Sequence, residues 1–214
     1  MILVGQYDSP YVRRVAITLH HYGMPFERNP ISVFADAGEM ARINPLVRIP
    51  SLVLDGGDVL TDSGAIVDYL DDLAGPERAL VPRAGEERWR VLQVLAVVTG
   101  TIDKVGAFVY EQHFHPPAHV NPDWLARLKA QTTGGMQWLE RRLAGDWFFD
   151  RFTQADLTAG CLLGYLNLRL QELLREGRYP KLEALSKRCE ALPAFIAARP
   201  SADEVMPAAS AVAR

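Results

Sequence analysis

The period of hydrophobic and polar positions changes near residue 80. Ahead of it, short apolar runs alternate with helical stretches. Residues 2–5 read as a strand, and Ser9-Pro10 opens a helix in which Val12, Val15, Ala16 and Leu19 recur at three and four before Gly23 stops it. Residues 26–31 predict a second strand, with Pro30 marking an edge or an early end, and residues 35–43 a weak helix. Residues 50–54 and 58–61 flank Asp55-Gly56-Gly57, a composition that supplies the positive φ angles of a tight hairpin. Residues 63–73 close this half with a helix buried through Ile66, Val67 and Leu70. The order βαβ, helix, ββα predicts a mixed four-stranded sheet, a parallel unit extended by an antiparallel hairpin.

After Gly75-Pro76 and Pro82 the strand signal ends. Residues 85–111 form a long helical pattern that is apolar nearly all round between Val91 and Val98, as in a helix covered on more than one side. Packing of two copies along it predicts a homodimer. Further helices are expected over 122–143, 153–174, 180–190 and 193–199, followed by an Ala-rich, loosely docked tail over the last fourteen residues. The pattern thus divides the chain into an α/β domain over 1–75, a linker over 76–84 and an all-helical domain over 85–214.

Composition narrows the chemistry. Twenty-three basic against twenty-six acidic residues give a net charge of -3, so no global field favours nucleic acid or an anionic membrane. Cys161 and Cys189 stand apart with no metal-ligand spacing, which fits a reducing, cytoplasmic setting. The longest apolar stretch is broken by Gln93, Thr99 and Thr101, so no membrane span is expected. His113, His115 and His119 invite a metal, but His113 and His115 point to different sides of a helix and no carboxylate or cysteine falls at ligand spacing; no metal site is expected.

Three segments carry the candidate chemistry. Ser9 can cap its helix by accepting from Tyr11 or Val12, while the same junction aims free N–H groups and the positive end of the helix dipole at whatever lies above, a setting that stabilises a thiolate. Ile49-Pro50 is either a trans bond ending a loop or a cis bond that exposes the main chain of Ile49. Asp62-Ser63 is either a plain helix cap or a zwitterion site, with Asp62 on an ammonium and Ser63 and the first helical N–H groups on a carboxylate. Thr153 and Asp156 have the spacing of a capping box and are assigned to folding.

Taken in order, these segments resemble the glutathione transferase family over nearly the whole chain. Ser9-Pro-Tyr-Val-Arg-Arg-Val resembles the family's first helix, Ile49-Pro50 its cis-proline turn, and Asp62-Ser63-x-Ala-Ile the pair that grips the γ-glutamyl end of glutathione. Phe152-Thr-Gln-Ala-Asp156 resembles the capping box before its sixth helix, and Pro193-Ala-Phe-Ile-Ala-Ala-Arg-Pro-Ser201 its final helix. The resemblance implies a thioredoxin-like N-terminal domain, an all-helical C-terminal domain, and glutathione as co-substrate with no metal. It implies that Ser9 donates to the glutathione thiolate, with Tyr7 the rival because other classes place a tyrosine at the end of the first strand. Arg48, Ile49, Pro50, Asp62 and Ser63 would hold the tripeptide, and Tyr11, Phe108, Tyr110 and His113 would border a pocket for a small hydrophobic electrophile.

The expected activity is conjugation of that electrophile by a cytoplasmic homodimer. The alternatives are a non-catalytic binding member resembling the stringent starvation proteins, or a glutathione-dependent peroxidase, dehalogenase or isomerase. Val47 departs from the glycine that many members carry, and Asp62 is one methylene shorter than the usual glutamate. Asp103 faces either a partner's glutathione or a surface ion pair. Arg13 and Arg14 have no assigned role and are expected on a solvated or interface face of the first helix.

Overall fold

Leu3 and Val4 are fully buried because their strand, β1 (Ile2–Val4), runs through the interior of a four-stranded sheet. The computed structural model describes residues 1–174 and 178–204. On one side β1 pairs in parallel with β2 (Glu27–Asn29); on the other it pairs antiparallel with β3 (Ser51–Val53), which pairs antiparallel with β4 (Val59–Thr61), giving the order β2-β1-β3-β4. The register aligns Val4 with Asn29 and Ser51, and Ser51 with Thr61. The chain therefore leaves β1, β2 and β4, and enters β3, at the same end of the sheet.

Helix α1 (Pro10–Tyr22) begins at the Ser9 cap and ends at Gly23, whose φ of 67° lets its N–H close onto His20 and Leu19 carbonyls. Its Val12, Val15, Ala16 and Leu19 are all buried, as their spacing predicts. Helix α2 (Ala37–Ile43) buries only Met40, in keeping with its weak pattern. Helix α3 (Ser63–Ala74) buries the expected Ile66, Val67 and Leu70.

Contacts divide the described chain into two compact units, and their composition corrects the expected boundaries. The first unit holds Met1–Arg83 together with the described residues from 191 onward. Residues 76–84 are thus no free linker: Ala79, Leu80 and Val81 are buried, and the N–H of Val81 donates to Asp71 at 2.9 Å. Tyr22 also bonds Asp71, and its oxygen accepts from Leu80 at 2.8 Å, so this segment is riveted to the ends of α1 and α3. Helix α8 (Pro193–Ala197), expected in the all-helical domain, packs on α1 instead through a fully buried Phe195. The expected loosely docked tail is likewise corrected at its start, where Glu204 is buried; residues 205–214 lie outside the described residues.

The second unit, Ala84–Glu190 among the described residues, contains α4 (Gly85–Phe114), α5 (Pro122–Arg142), α6 (Gln154–Arg169) and most of α7 (Pro180–Ala191). Helix α4 packs against α5 and α6 along Val91, Val94, Leu95, Val98 and Ile102. It is long and apolar enough to cross a bilayer by length and composition alone, and α5 and α6 cover that apolar face. The predicted helix over 153–174 is broken: Leu170 leaves helical geometry (ψ 53°) and the chain continues as a 3₁₀ turn, Gln171–Leu174, that buries Leu170 and Leu173. No glycine or proline lies between Tyr165 and Leu174, so the residues around the break do not announce it.

Candidate functional site at one end of the sheet

The register collects three loops that lie far apart in sequence. Residues 5–9 follow Val4, Ile49-Pro50 precede Ser51, and Asp62-Ser63 follow Thr61, and those three strand residues form one row across the sheet. Gly5 fixes the closeness of the first two loops. Its φ is 127°, and a Cβ there would lie 2.6 Å from Val12 Cγ2 and 2.9 Å from Ile49 Cβ, so only glycine fits. The sequence signal for Gly5 was a glycine ending a strand, which fits any turn.

Ser9 is half-buried and extended (φ -73°, ψ 121°), and its Oγ accepts from the N–H of Val12 at a long 3.4 Å. A hydroxyl that accepts through a lone pair still has its proton to give, so capping and donation to an anion above the helix start are compatible. Tyr7 differs sharply. Its side chain is 1 % exposed, its hydroxyl oxygen is buried, and the Arg28 guanidinium lies 3.5 Å from its ring centroid. Burial pushes its phenol above the ordinary tyrosine value, partly offset by the Arg28 charge.

The Ile49–Pro50 bond is cis, the second of the two readings open to the sequence. The loop before it is built on Asn44, which is buried and donates to the Arg48 carbonyl at 2.9 Å and to Ser51 Oγ at 3.3 Å, while its own Oδ1 accepts from Leu46 at 3.0 Å. Asn44 went unremarked in the sequence because asparagine before proline signals only a turn. Val47 takes the left-handed conformation, φ 48°, that a glycine would occupy without strain. Its side chain compensates by packing with Ile49 on Val4, Ile31 and Met40. Arg48 is exposed.

Asp62 is also left-handed, φ 69°, and caps α3 by accepting from Gly64 at 2.7 Å. Non-glycine residues held this way cost of order 1–3 kcal/mol each and persist where surroundings over-determine them. Ser63 is buried and accepts from Arg14 Nη1 at 3.4 Å. Of the solvated or interface face expected for Arg13 and Arg14, burial overturns the solvated alternative. Arg14 and Arg13 are only 3 % and 5 % exposed; Arg13 Nε donates to the Ala198 carbonyl at 3.0 Å, and its guanidinium lies 5.4 Å from the Phe195 ring. The two arginines thus brace Ser63 and α8, roles invisible in a local pattern that treats charge as surface.

In the second unit the named pocket residues separate. Tyr110, Phe114 and His113 form a ring cluster with edge contacts of 5.5 and 4.7 Å, whereas Phe108, two residues from Tyr110, falls about 200° round the helix on the 100° per residue of an α-helix. Asp103 is exposed, and Tyr11, in the first unit, is half-buried. Among the described residues there is no cluster of three metal-ligating side chains.

Thr153 and Asp156 form the capping box. Asp156 accepts from Thr153 N at 2.9 Å, from Thr153 Oγ1 at 2.8 Å and from Phe148 N at 2.8 Å, all buried. Burial pushes its carboxyl above the usual range against the pull of these donors.

Comparison with known proteins fits this geometry. The glutathione S-transferase N-terminal domain matches residues 3–78 and the glutathione S-transferase C-terminal domain residues 122–188. An uncharacterized GST-like protein of Escherichia coli, YibF, is 34 % identical over 171 residues, covering 79 % of this chain and 83 % of its own. The maleylacetoacetate isomerase of Pseudomonas aeruginosa is 29 % identical over 98 % of this chain and 100 % of its own. A crystal structure of a glutathione S-transferase from Methylobacterium radiotolerans, in complex with glutathione sulfonate, superposes with a TM-score of 0.88 at 33 % identity, covering 96 % and 97 % of the two chains. The protein belongs to the glutathione S-transferase family, with its thioredoxin-like sheet domain and its helical domain.

Proposed function

We propose that this protein binds glutathione at the sheet end described above and transfers its thiolate to a small hydrophobic electrophile. The observation that carries the reading is the shared row of Val4, Ser51 and Thr61, which gathers Ser9, the cis-proline loop and Asp62-Ser63. In this reading Asp62 holds the γ-glutamyl ammonium, Ser63 and the first N–H groups of α3 hold its carboxylate, the Ile49 main chain pairs with the cysteinyl unit, and Arg48 meets the glycyl carboxylate. Ser9 O–H and the start of α1 face the sulfur. A free thiol of pKa near 8.5 is only a few per cent ionised at pH 7, and lowering it by ~2 units corresponds to about 2.7 kcal/mol in favour of the thiolate. One hydrogen bond to an anion plus a helix N-terminus supplies energy of that order. The rest is proximity.

Relatives named maleylacetoacetate isomerase favour a second reading, glutathione-dependent isomerisation, in which the same thiolate adds to a conjugated double bond, the bond rotates, and elimination returns glutathione unchanged. Retention on immobilised glutathione, with elution by free glutathione, tests the binding on which both depend and separates them from a family member that does not bind glutathione. Conversion of a chloronitrobenzene with stoichiometric loss of glutathione then supports transfer, while turnover of a cis-enone without net glutathione loss supports isomerisation. We further propose a cytoplasmic homodimer joined along α4, where Leu92 is 41 % and Trp89 53 % exposed. A monomer mass by light scattering at micromolar concentration would overturn the dimer.

A further inference from the structure

The loop that carries Ser9 is a turn, Gln6 to Ser9, closed by the Ser9 N–H on the Gln6 carbonyl at 3.2 Å. Tyr7 sits at its corner, and its N–H donates to Glu204 Oε2, 197 residues further along the chain. The other oxygen of that carboxylate pairs with Arg28 at 2.5 Å, and Arg28 in turn lies over the Tyr7 ring. Tyr7 is therefore gripped twice by one assembly, on its main chain by Glu204 and on its ring by the arginine that Glu204 holds. A turn delivers the carboxylate: Glu204 N–H donates to the Ser201 carbonyl at 3.1 Å, and Ser201 Oγ lies 3.4 Å from Oε1. Arg13 anchors the same segment upstream through Ala198. Glu204 is 7 % exposed, and a carboxylate is taken out of water only where hydrogen bonds and an opposite charge replace the hydration. Besides Ser201 in its own turn, the replacing partners named here, the Tyr7 N–H and Arg28, both bear on the corner of a single loop, two residues before Ser9.

We propose that Glu204 is a positioning residue, a clasp from the C-terminal segment that holds Tyr7 and Arg28 and thereby fixes the Ser9 hydroxyl at the start of α1. The proposal rests on the reading of Ser9 as the thiolate donor. Without the clasp the turn keeps its closing bond but loses its outer anchor, and a hydroxyl displaced by a few tenths of an ångström meets the sulfur at a poorer angle.

The experiment uses the full-length protein with Glu204→Ala, Glu204→Gln and Ser9→Ala. It titrates the thiolate absorbance of bound glutathione against pH and measures glutathione affinity and thermal unfolding alongside. Glu204→Ala is expected to raise the pKa of bound glutathione by about one unit, which is about tenfold less thiolate below that pKa, with glutathione affinity changed less than about threefold. Glu204→Gln keeps an acceptor for the Tyr7 N–H and is expected to recover more than half of the shift. A folded Glu204→Ala with the wild-type titration, while Ser9→Ala shifts, overturns the clasp and leaves the Ser9 reading intact. An unshifted Ser9→Ala overturns that reading and the clasp with it. Should Glu204→Ala melt too low to assay, Arg28→Gln releases one of the two grips and is expected to shift the titration in the same direction by a smaller amount, and an unshifted titration there equally overturns the clasp.

Discussion

At Ser9 and Tyr7 two hydroxyls compete for one role, and burial separates them. The Tyr7 oxygen is enclosed beneath Arg28, whereas Ser9 is half-open at a helix start. Ser9→Ala is expected to raise the pKa of bound glutathione by about 1.5 units, the helix start keeping the remainder of the shift, and to lower turnover near pH 6.5 by about fifteenfold, as the loss of that much thiolate requires. Tyr7→Phe should leave both unchanged and keep or slightly raise the melting temperature, since it removes a buried hydroxyl. The reverse outcome would assign the thiolate to Tyr7. Val47 supplies a second residue-scale prediction. With φ at 48° and a side chain packed on Val4, Ile31 and Met40, Val47→Ala loses packing and keeps the strain, whereas Val47→Gly loses packing and sheds it. Glycine should therefore be more stable than alanine here by about 1 kcal/mol in urea unfolding, the reverse of their order in a helix.

At the scale of elements, the capping box of α6 serves the fold. Three buried donors converge on Asp156, so Asp156→Ala should lose about 2–4 kcal/mol of stability with turnover unchanged in the folded fraction. The acid dependence follows from burial. The folded-state pKa is raised above the unfolded value, so the folded protein holds this proton more tightly. The associated stability is fully present below the unfolded pKa and is lost as pH rises through the folded one. Wild type should therefore lose stability relative to Asp156→Asn on going from about pH 4 upward; a constant difference between the two would count against a raised pKa. The pair was legible from spacing alone, because a capping box needs only four consecutive residues. The third donor, Phe148 N–H, was not, since it arrives from a loop with no pattern of its own.

Across the whole molecule, Cys161 and Cys189 are buried at 1 % and 0 % exposure, and burial, with the Asp156 charge nearby, pushes the Cys189 thiol above its ordinary value. Neither should react with a thiol reagent in the native protein within minutes, and both should react in denaturant; rapid native labelling would show an opening that reaches the helical core. What the amino-acid order by itself determined is local: the change of period near residue 80, the caps at Ser9 and Thr153, the hairpin, the positions of Ile49-Pro50 and Asp62-Ser63, and with them the family. Each depends on residues within a turn or two of one another, where propensity and hydrogen-bond reach are written in the spacing. The tertiary structure alone decided that residues 191–204 return to the sheet unit, that Arg13 and Arg14 lie inside, that Val47 adopts a glycine's conformation, and that Glu204 reaches Tyr7. Those facts join residues tens to nearly two hundred positions apart. A charged side chain belongs on the surface until a distant partner replaces its water, and only the packed chain supplies that partner.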